Sequence, residues 1–281
     1  MLVEPNHNYL FYKMNGLDND FIILDNRANN YDFLYQQIGK FCQKLCYRKN
    51  IGCDQLIVLQ NSQIADVAIN IFNQDGSKSG ACGNATRCVA SLIFATQPSE
   101  KQTINIAVGE KILSCQKIDS QNIAVNMGQA TILHQNLILQ QLNFMAIDVG
   151  NPHAICFVKQ PLSDKLFYEI GPAIENNLQY FPHKTNVEFA QVINRNTIAV
   201  RVWERGVGET SACGSGACAV AVAGIVQKLV DNTEINIIFS GGELKIHWQN
   251  QRNIIMTGGF QKIFTGNFEA SFLFNDITVN A

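Results

Sequence analysis

Short apolar runs bounded by turn residues recur along the chain, and they predict strands more often than helices. Residues 21–25, 56–59, 67–72 and 104–108 are rich in Ile, Val and Phe between turn-forming neighbours, the signature of β-strands. A second set follows at 154–158, 186–192, 197–203 and 235–239. Within it, Ala199-Val200-Arg201-Val202-Trp203-Glu204 alternates apolar and polar residues, as a half-buried strand requires. Two stretches read differently. Residues 84–95 and 215–229 are Ala-rich and apolar on nearly every side, which predicts buried helices. Residues 31–48 and 165–177 predict outer, amphipathic helices.

The two sets are copies of one another. Ala81-Cys82-Gly83-Asn84-Ala85-Thr86-Arg87-Cys88 and Ala212-Cys213-Gly214-Ser215-Gly216-Ala217-Cys218 share a run, with Cys82 and Cys213 standing 131 residues apart (213 − 82). The same offset carries Ile104-Asn105-Ile106 onto Ile235-Asn236-Ile237, Gln55 onto Asn186, and Asn73 onto Glu204. Asn19 precedes Asn151 by 132 residues (151 − 19). This internal repeat predicts two homologous halves, 1–131 and 132–281, joined near residues 132–145. Each half reads as a mostly antiparallel sheet wrapped on a central helix, an α+β class with two pseudo-symmetric halves and an active site in the cleft between them.

Composition narrows the function classes. Hydrophobic residues make up 47% of 281, and 17 Phe stand against 6 Pro, enough core material for two globular domains. Lys and Arg number 21 against 23 acidic residues, with no basic cluster. Neither nucleic acid nor an anionic membrane is therefore expected as the main partner. The opening Met1-Leu2-Val3-Glu4-Pro5-Asn6-His7 lacks the charged and apolar regions of a secretory signal, and the apolar stretch 217–226 is half a membrane span. A soluble, cytoplasmic protein is expected. Nine Cys is an odd count with no C-x-x-C pair, and Cys42/Cys46 and Cys82/Cys88 have no nearby His, so neither a disulfide framework nor a metal site is expected. Most thiols, Cys88 and Cys218 among them, read as small packing residues.

Cys82 and Cys213 stand apart because the repeat places both at the mouth of a buried helix. Each follows a strand and a glycine-bearing loop, Asp75-Gly76-Ser77 or Gly206-Val207-Gly208. The positive end of a helix dipole would lower a thiol pKa from about 8.5 toward about 7, which makes a working base. The N–H groups of Gly83-Asn84 and Gly214-Ser215 form a cradle for a carboxylate or phosphate. Two equivalent thiols suit two bases on opposite faces of one carbon.

Met14-Asn15-Gly16-Leu17-Asp18-Asn19-Asp20-Phe21, Ile71-Phe72-Asn73-Gln74-Asp75-Gly76-Ser77 and Gly150-Asn151-Pro152-His153, with the A-C-G runs, resemble the signatures of the diaminopimelate epimerases. The run Glu204-Arg205-Gly206-Val207-Gly208-Glu209-Thr210-Ser211-Ala212-Cys213-Gly214-Ser215-Gly216 is the most specific of them. The resemblance implies a pyridoxal-independent racemase fold with closing strands exchanged between the halves, about 265–281 returning to the N-terminal half. It also implies no cofactor, a homodimer, and interconversion of L,L- and meso-2,6-diaminopimelate on the lysine and peptidoglycan pathway. It makes Cys82 and Cys213 the thiolate/thiol pair, tuned by His153 and Glu204. Gly83, Asn84, Gly214 and Ser215 would hold the reacting carboxylate. Asn19, Gln55, Asn73, Asn151, Asn186, Glu204 and Arg205 would contact the rest of the substrate. The chain departs from the family at Asn15, usually His, and at Asp18 and Ala85, both usually Gly. Alternatives are a proline racemase-like or phenazine-type isomerisation on the same fold, or a redox module using the two cysteines as a disulfide switch.

Overall fold

The computed structural model describes residues 8–80, 83–98, 100–231, 234–250, 252–269 and 272. In chain order the elements are β1 (Asn8–Gly16), β2 (Asn19–Asp25), α1 (Ile38–Cys46), β3 (Gln55–Gln60), β4 (Val67–Asn73) and α2 (Gly83–Thr96). Then come β5 (Thr103–Val108), β6 (Lys111–Lys117), β7 (Asn122–Gln129), β8 (Thr131–Leu139), β9 (Leu142–Asp148), β10 (Pro152–Phe157) and α3 (Asp164–Glu175). The rest are β11 (Asn186–Asn194), β12 (Thr197–Glu204), β13 (Gly208–Thr210), α4 (Gly214–Val226), β14 (Glu234–Phe239), β15 (Gly242–Gln249), β16 (Asn253–Gly259) and β17 (Gln261–Glu269). The chain divides into two compact units, Met1–Ile123 with Phe260–Ala281, and Ala124–Gly259.

In the first unit, β1 lies between β2 and β17, both antiparallel to it. The parallel pairs β2–β3 and β4–β5 alternate with the antiparallel pairs β3–β4 and β5–β6. The second unit repeats this plan. Antiparallel β8–β9 and β9–β10 lead into parallel β10–β11, antiparallel β11–β12, parallel β12–β14 and antiparallel β14–β15. Parallel neighbours need a crossover of a dozen or more residues. The crossovers carrying α2 and α4 are that long, so each helix is laid against its own sheet. Every described residue of α4 from Ala217 to Ala223 is buried, as its continuously apolar sequence requires.

Three local expectations need correction. Residues 31–48 split into a 3-10 turn (Asp32–Gln37) and α1, because Gln37 at φ −140° interrupts helical geometry. Helix α4 stops at Val226, short of 229. The expected join near 132–145 lies in the β8–β9 hairpin. Helix α2 is not apolar on every side, since it buries Arg87 completely. The change of unit falls at Ile123/Ala124 and again at Gly259/Phe260.

Two backbone details shape the first unit around β1. Gly16 and Asn19 close the β1–β2 hairpin around Leu17 and Asp18, whose φ angles are +58° and +61°. Two consecutive positive φ values make the turn whose twist matches its strands. Strand β17 returns to β1 by seating Gly266 opposite Phe11, where a Cβ would come within 2.6 Å of the ring. The stacked pair Tyr9 and Phe268, at 5.7 Å, extends that contact.

Candidate active site

The turn from β13 into α4 builds the second unit's site. Cys213 has extended backbone (φ −130°, ψ 115°) and is the N-cap of α4. Its sulfur accepts from the Gly216 N–H at 3.4 Å and lies 3.5 Å from Ser215 Oγ. Its carbonyl accepts the Ala217 N–H at 2.9 Å. A helix leaves its first four N–H groups without intrahelical acceptors. Those of Gly214 and Ser215 have no partner among the described residues.

Three neighbouring strands bring acids and an imidazole to this helix mouth. His153 on β10 and Glu188 on β11 are both fully buried, and His153 Nδ1 lies 2.6 Å from Glu188 Oε1. His153 Nε2 is 3.2 Å from Asn151 Oδ1. Glu204, at the end of β12, accepts the Thr210 hydroxyl at 2.5 Å. Gly216 is where the helix passes closest. A Cβ there would stand 2.7 Å from Glu188 Oε1 and 3.4 Å from Cys213 Sγ. Only glycine lets carboxylate, thiol and helix share that space.

The electrostatics reverse the expected sign at Cys213. Burial pushes its thiol well above the usual range, and the Glu204 and Glu188 carboxylates push it further. The Ser215 hydroxyl and Gly216 N–H pull the other way and lose. The expected lowering by the helix end is therefore outweighed, and the surroundings of Cys213 favour the thiol over the thiolate. Burial also raises the Glu204 carboxyl, with Glu188 adding to it, against the hydrogen bond from Thr210 and the attraction of His153. Other cysteines behave as packing residues. Burial lifts Cys42 and Cys115 to about 12 and Cys156 to about 11.

The remaining second-unit residues form a connected polar rim. Asn186 pairs in register with His153, donates to the Pro152 carbonyl at 3.1 Å, and accepts the Arg205 N–H at 2.9 Å. The exposed Arg205 side chain donates to the His183 carbonyl at 3.1 Å. Glu188 and Thr210 were not singled out in the sequence. An acid between apolar Val187 and Phe189 in a strand buried on both faces was the available signal for Glu188.

In the first unit, Gln55 and Asn73 face each other across β3–β4, and Gln55 Nε2 donates to Asn73 Oδ1 at 3.0 Å. Asn73 in turn donates to Ser77 Oγ at 3.0 Å. Asn19 Oδ1 and Gln55 Oε1 are buried acceptors without a partner among the described residues. Gly83 and Asn84 open α2, and Asn84 Oδ1 is held by Arg87 at 2.8 Å. Cys82 lies outside the described residues.

Comparison with known proteins decides the family. A family model described as diaminopimelate epimerase matches residues 11–133 and 145–263. The chain belongs to the diaminopimelate epimerase family. A diaminopimelate epimerase of Pelagibacter ubique is 40% identical over 266 residues, covering 88% of this chain and 94% of the relative. One from Rhizorhabdus wittichii is 39% identical, covering 93% and 96%. Among solved structures, a hydroxyproline epimerase from Agrobacterium vitis matches with a TM-score of 0.68 at 11% identity, covering 94% and 93%. A Bacillus anthracis protein of the PhzF family matches with the same score at 14% identity, covering 93% and 99%. These distant structures share the fold. The family member described here is an isomerase of the epimerase type, and its two-segment match follows its internal repeat.

Proposed function

We propose that this diaminopimelate epimerase family member interconverts L,L- and meso-2,6-diaminopimelate by proton transfer between its α-carbon and two thiols, Cys82 and Cys213, without a cofactor. The observation that carries this is the mouth of α4, where the Cys213 sulfur, two open N–H groups and three ionisable neighbours converge. An α-hydrogen beside a carboxylate is a very weak acid, and its removal spreads negative charge onto that carboxylate. Fixed N–H donors at a helix N-terminus stabilise such developing charge. Gly214 and Ser215 supply them here, and Gly83 and Asn84 occupy the equivalent place on α2.

Held as a thiol, Cys213 is fit to donate a proton to one face of the carbon. Cys82, as thiolate, removes the proton from the other face, and the roles reverse on return. His153 and Glu204 hold the proton balance of the two sulfurs. The open acceptors of Asn19 and Gln55 suit an ammonium group. Asn73, Asn151 and Asn186 complete the contacts, and the planar fork of Arg205 suits the distal carboxylate. The enzyme would work as a cytoplasmic homodimer in lysine and peptidoglycan precursor biosynthesis.

Incubation with L,L-diaminopimelate, followed by separation of stereoisomers, is expected to give the meso isomer with no added cofactor. Lysine and proline, which lack a second amino-acid end, are expected to remain unconverted. Racemisation of proline, or no conversion of diaminopimelate, would overturn the assignment.

A further inference from the structure

A buried carboxylate behind the histidine is left without a role by the two-thiol scheme. Glu188 has no solvent exposure and lies in β11 between buried Val187 and Phe189. An ionised carboxylate survives there only with a partner. Its Oε1 meets His153 Nδ1 at 2.6 Å, while its Oε2 has no partner among the described residues. The register sets up this contact. His153 is aligned with Asn186, and Glu188 projects from the same face of β11 two residues on.

The surroundings are equally particular. Glu188 Oε1 rests against the first turn of α4, at the spot a Gly216 side chain would fill. Glu204 from β12 and Cys213 from the N-cap of α4 face the same group, and Asn151 Oδ1 stands at the opposite nitrogen of the ring. His153 is thus gripped at Nδ1 by a fixed acceptor, which leaves Nε2 as the nitrogen free to change its proton.

Resting on the epimerase reading above, we propose that Glu188 is a positioning residue that holds His153 with its Nδ1 protonated and so makes Nε2 the atom that exchanges a proton with a catalytic thiol. In that exchange a sulfur–hydrogen bond breaks and an Nε2–H bond forms, giving thiolate and imidazolium, and the Glu188 carboxylate compensates the new positive charge. The reverse transfer restores thiol and neutral imidazole, so no other reactant is consumed.

Glu188→Gln separates this role from packing. Glutamine is isosteric, yet its amide can accept from Nδ1–H or donate to bare Nδ1, so it no longer selects a tautomer. In 15N-histidine protein, long-range proton–nitrogen correlation spectra are expected to show His153 protonated at Nδ1 in the wild type and redistributed in Glu188→Gln. With the melting temperature retained, kcat/KM is expected to fall by about 10²–10⁴-fold, the range for loss of a positioned acid–base group. Glu188→Asp, which keeps the charge, should recover much of the activity.

Gly216→Ala, which displaces Glu188 without removing it, should reproduce the change in the spectrum and serves if Glu188→Gln does not fold. An unchanged His153 spectrum in Glu188→Gln, with only stability altered, would overturn the proposal. Wild-type protein with the expected spectrum but no turnover of diaminopimelate would overturn the epimerase reading instead, leaving the His153–Glu188 assignment supported.

Discussion

Cys213 shows how far a single residue's environment departs from its local sequence. Its position at a helix mouth was legible, because the A-C-G run occurs twice and strand, glycine loop and apolar helix follow in order. Its ionisation was not legible. That depends on Glu188 and Glu204, which lie 25 and 9 residues earlier (213 − 188, 213 − 204) and reach the thiol only through the pairing of β11 with β12. Burial and two like charges outweigh one helix end. The thiolate absorbance of wild-type protein minus that of Cys213→Ser is therefore expected to be absent at pH 8 and to develop only well above pH 9. A difference signal complete by pH 8 would mean that the helix end dominates after all.

At the scale of elements, the pattern of apolar runs located β2 to β5, β10 to β12 and β14, but left β1, β6, β7, β9, β13 and β15 to β17 unread, although β15 alternates exposed and buried residues along its length. It missed β8, whose Ile132, Leu133 and Ile138 are exposed, so that no apolar face distinguishes strand from linker. The β1–β2 turn shows the cost of a local substitution. Asp18 stands at φ +61°, and an L-residue in that region is disfavoured by roughly 1 kcal/mol. Asp18→Gly is expected to raise the melting temperature by roughly 2–4 °C. No change, or a drop, in a thermal melt would show that the turn gains from its aspartate. Because Asn19 follows directly, the turn also sets the direction of a buried acceptor assigned to substrate.

On the scale of the whole molecule, the 131-residue offset (213 − 82) was the most informative feature, since it pairs strands as well as cysteines. Gln55 and Asn73 face each other across β3–β4, and their counterparts Asn186 and Glu204 lie on the equivalent β11 and β12. Parallel pairs recur at β2–β3 and β10–β11, and again at β4–β5 and β12–β14. The return of β17 to β1 was legible only in outline. Nothing in the local composition of β17 announces its partner, which is selected by Phe11 over Gly266 and by the Tyr9–Phe268 stack. Duplication thus gives each unit one buried helix behind an A-C-G run, and the proposed mechanism has Cys82 and Cys213 act on opposite faces of one carbon. Early time points of the reaction in deuterium oxide test it most directly. Each thiol serves one face, so the meso product is predicted to carry α-deuterium while recovered L,L-diaminopimelate carries almost none. Deuterium entering substrate and product at equal rates from the start would reveal a single base serving both faces, and would contradict the two-thiol mechanism.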